Sequence, residues 1–126
     1  MAKLLHSLYP IFEAGTSISG LLDLRTVEPV SLILGPAWTG AGSSAISFFG
    51  SSDGISFGYI SSSGGQLYRI LPVNVSRLYI LSTGWFKGIN WLYVISGEGA
   101  VRVTQSALRI TLLNCRDRED PDSRGS

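Results

Sequence analysis

One histidine, His6, and one cysteine, Cys115, are the whole supply of imidazole and thiol in this chain. A Ser-His-Asp triad or a Cys-His pair would have to use His6. That residue sits in an apolar stretch just before Pro10, with no nucleophile or orienting acid placed beside it. A histidine-based zinc site lacks its second histidine, and a lone cysteine gives neither a CxxC motif nor an intramolecular disulfide. Cys115 reads as an ordinary cysteine near a strand end, with an intermolecular disulfide as the alternative. The carboxylates before the charged end are Glu13, Asp23, Glu28, Asp53 and Glu98. Glycoside hydrolysis needs two carboxyls roughly 5–10 Å apart, and no two of these are neighbours in sequence. The glycine-rich stretches Gly40–Ser44 and Ser61–Gly65 lack the Gly-Lys-Ser/Thr ending of a phosphate-binding loop and precede no helix. The reading is therefore non-enzymatic, with no cofactor and no metal.

Aromatic chemistry is better supplied, with three Trp, five Tyr and five Phe. In a β-rich domain most of these belong to the core. A Trp or Tyr left in solvent beside an amide or acid can stack on a sugar ring, so a carbohydrate- or receptor-binding domain is the main alternative function.

The elements that must position these residues are strands. In Ala45–Ile60 apolar and small polar residues alternate, break at Asp53-Gly54, and resume, which is the period of a half-buried hairpin around a tight turn. Strands are expected over Ser17–Leu24, Val30–Leu34, Ala45–Gly50, Ile55–Ile60, Gln66–Leu71, Arg77–Leu81, Asn90–Ser96 and Ala107–Asn114. Turn residues such as Glu28-Pro29, Gly35-Pro36 and Gly97–Gly99 separate them. The segment from Gly84 to Asn90 can hold one helical or 3₁₀ turn. In Trp91–Ile95, Trp91, Tyr93 and Ile95 share one strand face and Leu92 and Val94 the other. Both faces are apolar, so the strand is central or covered by a partner. Together these features predict an all-β fold, an antiparallel β-sandwich or jelly roll of about eight short strands.

At 126 residues and 13.5 kDa the chain fits one domain. The expected division is an N-terminal arm over 1–15, a sandwich over 16–114 and a flexible charged tail over 115–126. The arm would either pad the domain's own core or pack on a neighbouring subunit. Charged residues are only 15% of the chain, against about 25% in typical soluble domains. Net charge is +1 and the basic residues form no run, so no nucleic-acid partner is expected. The first ten residues are too short and too polar for a signal-peptide core. No apolar run approaches the roughly 18 residues of a membrane helix. Synthesis and folding in a reducing cytoplasm are expected, with no membrane association. So weakly charged a surface suits burial against copies of itself or a larger assembly.

Several segments in order carry a resemblance: Pro36-Ala37-Trp38-Thr39 after a strand, Ser47-Phe-Phe-Gly-Ser-Ser-Asp-Gly-Ile-Ser-Phe57, Pro72 through Arg77, Trp85 through Gly97, and Gln105-Ser-Ala-Leu-Arg-Ile-Thr-Leu112. From about Ile18 to Leu113 this order resembles small β-sandwich structural proteins of tailed bacteriophages, of the capsid-decoration or head-accessory type. The sequence departs from that pattern at Tyr59–Leu67, which is rich in Ser and Gly where the family is more acidic. The resemblance implies a virion structural protein made in the host cytoplasm. The first expectation is a decoration (cement) protein on the assembled head, partnered by the major capsid protein or other virion proteins and acting as a homo-oligomer. The alternative is a head–tail or tail accessory protein that binds a glycan or receptor. Contacts are expected at Leu4, Leu5, Leu8 and Phe12 of the arm, at Trp38, and at Trp85 and Phe86.

Overall fold

The structure, a computed structural model, describes residues 5–118. Its regular elements are β1 (Leu5–Leu8), β2 (Ile11–Phe12), β3 (Leu22–Asp23), β4 (Val27–Ile33), β5 (Ile46–Ser51), β6 (Gly58–Tyr59), β7 (Arg69–Ile70) and β8 (Leu78–Ile80). A 3₁₀ turn at Thr83–Phe86 follows, then β9 (Trp91–Glu98), β10 (Val101–Arg102), β11 (Arg109–Ile110) and β12 (Leu112–Asp117). One sheet runs β1-β12-β4-β8. A second runs β10-β9-β5-β6, with β3 added along β9 and β7 along β5, and β2 and β11 form a short ribbon. Every strand pair is antiparallel. The fold is an all-β sandwich, as the alternating pattern predicts.

Alternation decides which side chains meet between the sheets. In the first sheet Leu8, Leu113 and Leu32 lie in one cross-strand row, and all three pack in the core. In the second, Phe48 is opposite Val94 and Gly50 opposite Leu92. Phe86 of the 3₁₀ turn fills the space over Phe48, edge to face at 5.3 Å, and Phe12 meets Trp38 in the same way at 4.9 Å. Edge-to-face packing sets the positive rim of one ring on the negative face of the other.

Three expectations change. The arm over 1–15 is not separate, because β1 pairs with β12 and Phe12 is buried in the core. The physical reason is that β12 would otherwise expose a row of unpaired N–H and C=O groups at its edge. The boundary expected after Asn114 falls inside β12, which continues through Asp117. There Arg116 is held by Glu28 at 2.7 Å, and the Arg118 guanidinium donates to the carbonyls of Val27 and Ile89. Of the expected tail, residues 119–126 lie outside the described residues. Finally, the single strand expected over Ser17–Leu24 is broken. Ile18 bridges to Ile95 and β3 pairs lower on β9, while Gly20 turns aside to donate to Ile11.

The hairpin at Asp53-Gly54 has a longer connection than a two-residue turn. β5 and β6 pair through Phe49↔Tyr59 and Gly50↔Gly58. Between them Asp53 Oδ1 accepts the N–H groups of Ile55 and Ser56, at 2.8 and 2.9 Å, and the Ser51 hydroxyl. Gly54, at φ +80°, lies against the Trp91 indole, where a Cβ would come within 3.0 Å of Nε1. The loop thus folds back over its own sheet.

Candidate interaction surface

The two sheets treat their outer faces differently. On the second sheet, register places Phe49 beside both Tyr93 and Tyr59, with Trp91 farther along β9. The folded-back loop sets Phe57 against Phe49 at 5.8 Å and against Tyr93 at 5.4 Å. Arg25 lies over the Trp91 ring at 4.7 Å, and Arg102 over Tyr59 at 5.8 Å. This face is covered by the chain's own rings and guanidinium groups. It accounts for a β9 strand that is apolar on both sides.

Among the described residues no such ring or guanidinium cover lies on the first sheet. Its outer face carries the cross-strand rows Leu112–Ile33–Leu78 and Ser7–Asn114–Ser31–Ile80. Ile80 is 77% exposed, Leu78 55% and Leu5 77%. Ile110 of the β2–β11 ribbon, two residues before Leu112, is 51% exposed. Neither row contains an ionisable residue. The charges at one end, Arg116 and Glu28, neutralise each other. Among the described residues β8 pairs with β4 alone.

The residues expected to make contacts divide accordingly. Leu4 lies outside the described residues. Leu5 is exposed on the uncovered face, whereas Leu8 turns inward and packs on the core. Phe12, Trp38 and Phe86 are buried and offer a partner no surface. They correct the expectation, because large aromatic side chains are what a thin sandwich needs to fill its middle. Trp85 is half-buried and stacks on Tyr68 at 4.7 Å, with the rings 7° from parallel. Leu78 and Ile80 escaped the sequence reading. The only signal was their alternation with Tyr79 in a short strand, and that pattern does not say which face is inside.

A groove of about 470 Å³ opens beside Trp85, lined by Ile60, Ser61, Ser62, Ser82 and Gly84. A second hollow, along the Tyr68–Trp85 stack, is lined by Gln66, Leu67, Arg69 and Leu71.

Several ionisable groups are held in local pairs. His6 Nε2 lies 2.5 Å from Asp117 Oδ1. Asp23 is paired with Arg25, whose guanidinium bond holds its carboxyl below the ordinary value. The backbone N–H groups of Ser56 and Ile55, then the Ser51 hydroxyl, lower Asp53 in the same direction. Glu98 is paired with Arg69. Burial pushes the Cys115 thiol up to about 12, which leaves it protonated at neutral pH. Among the described residues no three His, Cys, Asp or Glu side chains group as a metal site, and no helix is long and apolar enough to cross a membrane. Comparison with family models, with curated proteins and with solved structures gives no significant match.

Proposed function

We propose that this chain is a non-enzymatic structural protein that docks on other protein subunits through the outer face of the β1-β12-β4-β8 sheet. Following the resemblance in segment order, those subunits are the major capsid protein or other proteins of a tailed-phage head. The chain then acts there as a decoration protein, repeated at equivalent sites. The observation that carries this reading is the asymmetry of the two outer faces. One sheet is covered by the chain's own aromatic residues, and the other leaves Leu78 and Ile80 exposed in cross-strand rows that hold no ionisable residue. Large apolar side chains left exposed on one face mark protein interaction sites. A module that binds only the assembled shell stabilises it by mass action.

The test mixes purified protein with empty phage shells and images them by cryo-electron microscopy. Ordered density at capsomer centres or junctions is expected, with β8 and β12 facing the shell. The double substitution Leu78→Lys, Ile80→Lys should abolish attachment and leave the thermal midpoint of the free protein unchanged. Attachment through another face, or none at all, refutes the proposal.

A further inference from the structure

The aromatic residues near the 3₁₀ turn form a ladder from core to surface. Phe48, fully buried, stacks on Tyr68 at 5.4 Å and 22°, and Tyr68 stacks on Trp85 at 4.7 Å and 7°. Phe86 braces the middle ring edge-on at 5.8 Å. The Ser82 N–H donates to the Tyr68 hydroxyl at 3.1 Å and fixes its tilt. One indole face of Trp85 is therefore taken by the ladder. The groove of about 470 Å³ is lined by Trp85 but not by Tyr68, and so lies away from the stack. Its volume is within the roughly 300–1,000 Å³ of small-ligand sites.

The lining chemistry is narrow. Beside the indole stand three serines, one glycine and one isoleucine, with no ionisable group. Ser62 Oγ accepts the Gln66 N–H at 3.1 Å, which leaves its own proton to donate. At Gly84 an added Cβ would meet nothing within 4 Å, so the floor is open there. A flat aromatic surface flanked by hydroxyls matches a pyranose ring, which has an apolar C–H face and a rim of hydroxyl groups. A charged ligand would find no counter-charge in this lining. Ring contacts and the Tyr68 hydrogen bond already position the indole, so binding costs little side-chain ordering.

We propose that the groove beside Trp85 binds a neutral saccharide, with the pyranose ring stacked on the indole and its hydroxyls bonded to Ser61, Ser62 and Ser82. None of the groove's lining residues belongs to the rows of the docking face, so the free protein should bind the sugar with no shell present. The probes are the methyl pyranosides of glucose, galactose, mannose and N-acetylglucosamine, with N-acetylneuraminic acid as the charged comparison. Each is titrated into the full chain and followed by amide chemical shifts. At least one neutral glycoside should give saturable shifts at residues 60–62 and 82–85, with a Kd on the order of 1 mM. Gly84→Gln adds a side chain to the open floor of the groove and should weaken binding by at least about tenfold. Trp85→Ala should do the same. Should Trp85→Ala unfold the chain, Gly84→Gln alone decides. The proposal is overturned if no neutral glycoside gives saturable shifts, if Gly84→Gln binds as well as the parent, or if only the charged sugar binds.

Discussion

Gln105 shows how a single residue ties distant segments together. Its side chain is buried. Its Oε1 accepts the Thr39 N–H at 2.9 Å, and its Nε2 donates to Thr39 O at 3.2 Å and to Ser96 Oγ at 2.9 Å. One amide thus holds the Trp38 loop against β9. Gln105→Leu leaves both backbone groups of Thr39 without that partner in a part-buried site, and the buried Ser96 hydroxyl without its donor. It should lower stability by about 2–4 kcal/mol, read as a shifted urea midpoint. Gly97 is a backbone counterpart. It sits at φ +98°, and a Cβ there would come within 2.3 Å of the Val101 carbonyl oxygen. Gly97→Ala should cost about 3 kcal/mol or more by the same measurement. The Cys115 thiol, raised to about 12 from an ordinary 9.0, should resist a disulfide reagent in the folded protein and react fully in denaturant. The sign of its pH effect follows. Above pH 9 the unfolded thiol ionises while the folded one keeps its proton, so its contribution to stability falls between pH 9 and 12.

At the scale of elements, β1 and the Asp53 loop have the same task, that of covering something the sheet leaves open. β1 closes the β12 edge and brings Leu8 onto the core. Removing residues 1–8 should cost a large part of a stability that in such domains is only about 5–15 kcal/mol. It should also cause aggregation through the freed edge, seen by light scattering. Survival of a stable monomer would return the segment to the role of a detachable arm. The Asp53 loop depends on a carboxylate that accepts backbone N–H groups, so its folded value is depressed. Its stabilising contribution is present above the ordinary 3.8 and is lost as pH falls through the lower folded value. Asp53→Ala should remove that acid-sensitive part of the stability curve. It should also loosen Phe57 over Phe49 and Tyr93, detectable as increased amide exchange in residues 52–57.

For the whole molecule, the informative contrast is between the two outer faces. Arg25, Phe57 and Arg102 cover one, and Leu5, Leu78, Ile80 and Ile110 lie bare on the other. A lysine at position 80 adds a charge to a face that has none in its two central rows. Ile80→Lys alone should weaken attachment to a shell at least tenfold, a change of about 1.4 kcal/mol in binding. It should leave unfolding by urea within about 0.5 kcal/mol of the parent. Equal losses in binding and in folding stability would place Ile80 in the protein's own structure rather than at an interface.

Alternation and turn residues determined the all-β fold, a reversal at Asp53-Gly54 between β5 and β6, a single helical turn before Trp91, and a Trp91–Ile95 strand apolar on both faces. These are local properties of backbone conformation and of period-two patterning, which need no knowledge of distant contacts. The same reasoning separated 1–15 and 115–126 from the domain, because short apolar and charged ends carry no local sign of pairing with each other. Tertiary structure joined them, with Leu5 opposite Arg116 and His6 opposite Cys115. It also decided that Phe12, Trp38 and Phe86 are interior while Leu78, Ile80 and Trp85 reach the surface. A strand with apolar residues on both faces has the same sequence whichever side is covered. Only the chain that packs against it, often from far away in sequence, makes one side the core and leaves the other for a partner.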